Sequence, residues 1–149
     1  MKTITLCSSA AFYEHVNSIA TELTANGFKT VVPKTARSMQ TTGNYDVTAV
    51  KTWYKNSADF NKKAELMRGH FEEVAKGDAV LVVNDEKHGI KGYIGSNVLM
   101  EMGLAFYLHK PIYVLNNVDR EMPVYEEVLG MNSIILDGTI SKIIKKSNA

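Results

Sequence analysis

The run Ala79-Val80-Leu81-Val82-Val83 constrains the fold of this chain more than any other stretch. Five consecutive apolar residues, bounded by Asp78 and Asn84, read as a strand covered on both faces. Helices must supply that cover, and the flanks encode them. Upstream, Phe60, Ala64, Met67, Phe71 and Val74 recur at helical spacing until Gly77-Asp78. Downstream, residues 97–108 carry a second helical pattern, and residues 111–115 repeat the buried-strand signature. Residues 1–7 read as a first strand. Phe12, Val16, Ile19, Ala20 and Leu23 then mark a helix that Gly27 stops, and residues 29–32 form a strand closed by Pro33. A helix at 124–129, a strand at 133–136 and a short terminal helix complete the pattern.

Strands that alternate with helices build right-handed βαβ units, and these give a parallel sheet flanked by helices. The expected fold class is therefore α/β: one domain over residues 1–149, a Rossmann/flavodoxin-like three-layer sandwich with about five parallel strands. Residues 34–59 fit this scheme poorly. They are rich in Thr, Asn, Ser and Lys around an isolated Trp53-Tyr54 pair. A structureless insertion of that length is unusual in a compact domain, so the segment holds short elements without a clear period or forms a lid over a site.

Several function classes fall away on composition. Seventeen Lys and Arg against sixteen Asp and Glu give a net charge of +1, no footprint for nucleic acid or an anionic membrane. Lys142, Lys145 and Lys146 read as a solvated tail. The single cysteine, Cys7, excludes an intramolecular disulfide and two Cys–His pairs for a structural zinc. No apolar run approaches the roughly 18 residues of a membrane span. The chain opens directly into a strand, so no secretory signal is expected, and a cytoplasmic location fits. No GxGxxG follows the first strand and no P-loop lysine motif occurs, so neither a nicotinamide cofactor nor ATP is indicated. No His/Asp/Glu spacing suggests a metal, and the expectation is no cofactor.

In sheets of this kind, ligands bind beyond the carboxyl ends of the strands. Ser8-Ser9, Asn84-Asp85 and Asn116-Asn117 each follow a strand and share that rim. Behind it lies an anomaly. Glu101 falls on the same helical stripe as Val98, Leu104, Ala105 and Leu108, all apolar. A carboxylate there is partly desolvated and needs a partner. With Ser96 or Asn97 as N-cap, Glu101 sits about one turn into the helix, close to the rim. The helix N-terminus offers N–H groups to a ligand oxygen or phosphate, and Gly92 and Gly95 let loop backbone approach it. A glutamate at the edge of a stripe also serves simply to reach water or pair with a lysine. Gly103 reads as a packing contact.

These residues carry a resemblance. Residues 78–83, a polar loop, Gly95-Ser96-Asn97, then Met100-Glu101-Met102-Gly103-Leu104-Ala105 and Lys110-Pro111-Ile112 resemble the nucleoside 2-deoxyribosyltransferase-like superfamily, which includes deoxynucleoside monophosphate N-glycosidases. Leu6-Cys7-Ser8-Ser9 is similar to its first strand and turn. The resemblance implies N-glycosidic bond cleavage or base exchange on a nucleoside or nucleotide, with Glu101 as nucleophile at C1′. It also implies a homodimer or larger homo-oligomer. In that frame Tyr93 is a candidate to bond Glu101 or stack on a base. Two positions depart from the family pattern: Gly95 stands where an acidic or hydroxyl residue is usual, and His70 where an Asp is frequent. Histidine titrates near neutral pH and can act as acid or base, or be structural. These departures keep a second reading open, a non-catalytic nucleotide-binding or sensing domain. Ser8 and Ser9 are candidates for phosphate or ribose contact, or a plain strand-to-helix turn. Asp85, Lys87, Ser96, Asn97 and Asn116 complete the candidate binding set, with Lys87 as a point charge for phosphate. Trp53 and Tyr54 are candidate base-stacking or oligomer-contact residues.

Overall fold

The computed structural model describes residues 1–147, with side chains described through residue 145. β1 (Thr3–Cys7), β2 (Lys29–Val31), β3 (Ala79–Val82), β4 (Ile112–Val114) and β5 (Ile134–Ile135) form one sheet in the order β2-β1-β3-β4-β5. Every pairing is parallel, with Cys7 opposite Val82 and Val82 opposite Val114. This is the flavodoxin-like order. The helices are α1 (Tyr13–Ala25), α2 (Lys34–Thr42), α3 (Phe60–Lys76), α4 (Ser96–Tyr107), α5 (Tyr125–Gly130) and α6 (Ser141–Ser147).

Strand alternation explains the three layers. Successive side chains point to opposite faces. Ile4 and Leu6 of β1, with Leu81 and Val83, therefore meet Val16, Leu23 and Ala36 from α1 and α2, and Ile143 from α6. Cys7, Val80, Val82, Ile112 and Val114 face the other way, towards Val74 of α3, Val98, Met102 and Ala105 of α4, and Val128 of α5. The continuous apolar run of β3 thus feeds two cores at once.

Local chemistry sets the helix ends. α1 closes in a Schellman arrangement: the Gly27 N–H donates to the Thr24 carbonyl and the Phe28 N–H to the Leu23 carbonyl, with Gly27 at φ +92°. Residues 34–59 contain α2 and a 3-10 turn at each of Val47–Ala49 and Ser57–Asp59. α2 carries only two buried residues, Ala36 and Met39, among polar neighbours, too few to set a visible period. It is tied to α1 by buried Asn17, whose amide donates to the Ala36 carbonyl and to the Tyr45 hydroxyl, each at 3.0 Å.

Two expectations need correction. Phe60 and Ala64 of α3 are exposed, and only Val74 of that helix is buried. Lys63, Leu66 and Met67 of the first half of α3 line the cavity described below, while Phe60 lies beside the Trp53 ring, with centroids 6.4 Å apart. Gly103 is no packing contact, since a Cβ there would meet nothing within 4 Å. In the tail, Lys142 pairs with Asp137 at 2.8 Å and Lys145 is exposed, while the Lys146 side chain lies outside the described residues. Among the described residues no helix is long and apolar enough to cross a membrane.

Candidate functional site

A cavity of about 380 Å³ opens at the carboxyl ends of β1 and β3. Three segments wall it. The first is the turn after β1, with Ser8, Ser9 and Ala10. The second runs from Pro33 through Lys51 and Trp53 to Met67 and His70. The third holds Lys87, Tyr93 and the start of α4. Strand order reverses between β1 and β3, so no crossover covers this crevice, and ligands of such sheets sit there.

Helix starts converge on the cavity. The Ala10–Phe12 turn, α2 and α4 all begin at its wall, with N-caps Ser9, Pro33 and Gly95, and none of the three receives a side-chain cap. The N-cap of α4 is therefore Gly95, not Ser96 or Asn97. The first-turn N–H groups of a helix have no intrahelical partner, and the starts of α2 and α4 border the cavity.

Glu101 lies in this wall and is only 2% exposed. Its position follows from the helical repeat, because Val98, Met102 and Ala105 drive one face of α4 into the core and carry Glu101 in with them. Two groups meet the carboxylate. The Asn97 amide, one turn earlier, donates to Oε1 at 3.1 Å. His70 of α3 brings Nε2 to 3.0 Å from Oε2. That second contact is an ion pair without hydrogen-bond direction, so Nε2 and Oε2 each lack a properly aimed partner. The partners of the carboxylate are thus Asn97 and His70, not Tyr93. The Tyr93 ring instead lies over Gly95, within 3.5 Å of where a Cβ would stand.

His70 is held between two carboxylates. Its Nδ1 lies 3.5 Å from Glu73 Oε2, and Glu73 Oε1 lies 3.5 Å from the Arg37 guanidinium. Burial works against a charge on His70, but contacts with Cys7, Glu101 and Glu73 outweigh it and raise its pKa above the usual imidazole value. Burial also works against the charge on Glu73, yet His70 and Arg37 hold its carboxyl below the usual range. An ordered row of charges results: Arg37, Glu73, His70, Glu101. Cys7 completes the cluster from β1. Burial first, then the charge of Glu101, push its thiol up to about 12, so it is neutral near pH 7. Cys7, His70 and Glu101 place one ligand atom each within 4.8 Å of one another, a donor set that suits a soft divalent ion. Their positions in sequence are far apart and carry no metal spacing.

Of the residues singled out from sequence, Ser8, Ser9, His70, Lys87, Tyr93, Gly95, Ser96, Asn97 and Glu101 line the cavity together. Trp53 and Tyr54 line it as well. Asp85, Gly92 and Asn116 stand outside the lining. Asp85 binds His15 at 2.7 Å. Asn116 is knotted to Asn84: its N–H donates to Asn84 Oδ1 at 2.8 Å, and the Asn84 amide donates to the Asn116 carbonyl at 2.9 Å. Gly92, at φ +68°, packs its backbone against the Asn117 carbonyl. These three shape the rim. Sequence reasoning missed Cys7, Lys34, Lys51 and Lys63. An isolated lysine in a polar segment carries no signal, and only the fold gathers them.

No protein-family model and no curated protein matches the chain. Among solved structures, the chain is similar to a conserved protein from Enterococcus faecalis V583, with a TM-score of 0.54 at 11% identity over 100% of this chain and 99% of that one. At that identity the likeness shows the fold, a single α/β domain with a five-stranded parallel sheet between helices.

Proposed function

We propose that this protein cleaves or exchanges the N-glycosidic bond of a nucleoside or nucleotide, with Glu101 as the nucleophile. The observation that carries the reading is the buried Glu101 carboxylate in the cavity wall, with Oε1 fixed by Asn97 and Oε2 lacking an aimed donor. The resemblance of residues 78–115 to the nucleoside 2-deoxyribosyltransferase-like superfamily supports it. Oε2 attacks C1′ and the C1′–N bond breaks, its electron pair leaving with the base. The base takes up a proton, and a glycosyl ester remains on Glu101. Water or a second base then releases the sugar. Dividing one difficult step into two is the advantage of a covalent intermediate. His70, 3.0 Å from Glu101, balances the carboxylate charge and, when protonated, can supply a proton to the departing base. Tyr54, exposed in the cavity lining beside buried Trp53, offers an aromatic face for that base. The test is incubation with deoxynucleosides, deoxynucleoside monophosphates and ribonucleotides, with free base followed by chromatography. Base release from at least one member is expected, and none from any member defeats the proposal.

A second reading, a nucleotide-binding or sensing domain without chemistry, draws on one observation. Among the described residues Glu101 is the only carboxylate in the cavity lining, and no second carboxyl there can protonate a leaving base. Calorimetry separates the two readings, because a tightly bound nucleotide recovered intact favours the sensor. In either case we propose a homodimer or larger assembly through the exposed apolar side chains Met100, Phe106 and Tyr107 of α4. Sedimentation at micromolar concentration should show more than one copy per particle, and a strict monomer rules this out.

A further inference from the structure

We propose that the cavity selects a nucleotide bearing a chain of two or more phosphates, held by Lys34, Lys51, Lys63 and Lys87. This rests on reading the cavity as a nucleotide site and names the substrate class that the site takes.

The argument begins with charge. Among the described residues four lysines line the cavity against one carboxylate, in a protein whose net charge is only +1. Among the described residues none of the four has a carboxylate within 4.0 Å, whereas Lys62 and Lys142 each have one. The ammonium groups are held by other means. Lys63 Nζ lies 5.2 Å from the centre of the Trp53 ring, and Lys87 Nζ lies 5.1 Å from that of Tyr93. Lys87 also donates to the Ser9 hydroxyl at 2.9 Å.

The lysines burden one another. Burial first, then the charge of Lys63, lower the pKa of Lys51. Burial first, then the charge of Lys51, lower that of Lys87. Three cations gathered without a counter-ion cost free energy in the empty protein, and an anion in their midst recovers it. α2 and α4 also begin at the cavity without a side-chain cap, and a helix start of this kind favours an anion.

The count of charges decides how much phosphate fits. The one carboxylate, Glu101, is already met by His70. A phosphate monoester brings at most about two negative charges, fewer than the four ammonium groups. A diphosphate or triphosphate matches the set. The lysines also come from two walls: Lys34, Lys51 and Lys63 belong to the segment between β2 and β3, and Lys87 to the loop after β3. A chain of phosphates offers cations on two walls more anionic oxygens than a single phosphate does.

The test is calorimetric titration with four compounds that share one base and one sugar: the nucleoside and its mono-, di- and triphosphate. Inorganic pyrophosphate is titrated alongside. The diphosphate should bind at least about tenfold tighter than the monophosphate, the scale of one charge-assisted contact. Its advantage should shrink as salt is raised. Lys51→Ala and Lys63→Ala should each remove most of that advantage in a protein that still unfolds in a single cooperative transition. Equal affinity for mono-, di- and triphosphate overturns this inference and leaves the nucleotide reading standing. Pyrophosphate binding as tightly as the nucleoside diphosphate overturns the nucleotide identity of the ligand. No binding by any compound overturns both.

Discussion

Glu101→Gln should abolish base release while the folded protein still binds its nucleotide. The substitution keeps the shape and volume of the side chain, so Met102 and Ala105 still seat α4 in the core. An amide oxygen, however, is a poor nucleophile, and the glycosyl ester cannot form at a useful rate. A fall of about three orders of magnitude or more in turnover is expected, as for loss of other covalent nucleophiles. Binding should move the other way. Removing the one negative charge from a lining that holds four lysines makes the cavity more cationic, so an anionic nucleotide should bind at least as tightly. This pairing of outcomes is diagnostic. Turnover close to that of the parent protein removes Glu101 from the chemistry. Loss of both turnover and binding, with an intact thermal midpoint, makes it a ligand contact instead.

The largest expected effect on stability falls at a glycine that touches no ligand. Gly92 sits at φ +68°, and a Cβ there would overlap the backbone carbonyl of Asn117 and press within 3.3 Å of the Asn84 amide. Gly92→Ala therefore carries two penalties. The left-handed conformation costs about 1–2 kcal/mol for a residue with a Cβ. The collision then forces apart the Asn84–Asn116 knot that joins the ends of β3 and β4, and a buried polar group left unpaired costs about 1–3 kcal/mol. About 3 kcal/mol in total corresponds to a drop of about 10 °C in the thermal midpoint for a chain of this size. Gly89→Ala is the matched control. It has φ +74° but nothing within 4 Å, so it should show the conformational cost alone. Equal midpoints for the two variants would show that the contact with Asn117 is immaterial.

The fold was legible because its signal is periodic and local. The Ala79–Val82 strand, the α1 stripe and the Gly27 stop each announce themselves within a dozen residues. What escaped notice was weakly patterned or non-local. α2 hides because Ala36 and Met39 are its whole buried face. The exposed first half of α3 misled, since a helical period marks an apolar face without saying what that face meets. Glu101 stood out as a polar residue on an apolar stripe, but its partners did not follow from that stripe. His70 lies 31 residues away and Cys7 lies 94 away in the chain, and only packing of α3 and α4 on one face of the sheet, beside the end of β1, brings them together. The lysines are invisible to any local rule, because a single lysine in a polar run looks the same whether it meets a ligand or water.

The three walls of the cavity have different dependence on the sheet. Ser8, Ser9 and the α4 start continue directly from β1 or seat against the core, so they are fixed by the same packing that makes the domain fold. Lys51, Trp53 and the exposed half of α3 belong to a detour that adds no strand and little buried surface. Changes in that detour alter the occupant of the cavity without disturbing the platform beneath it. A single scaffold can in this way be redirected among ligands by editing one stretch of chain, while the carboxylate and its retaining histidine stay where they are.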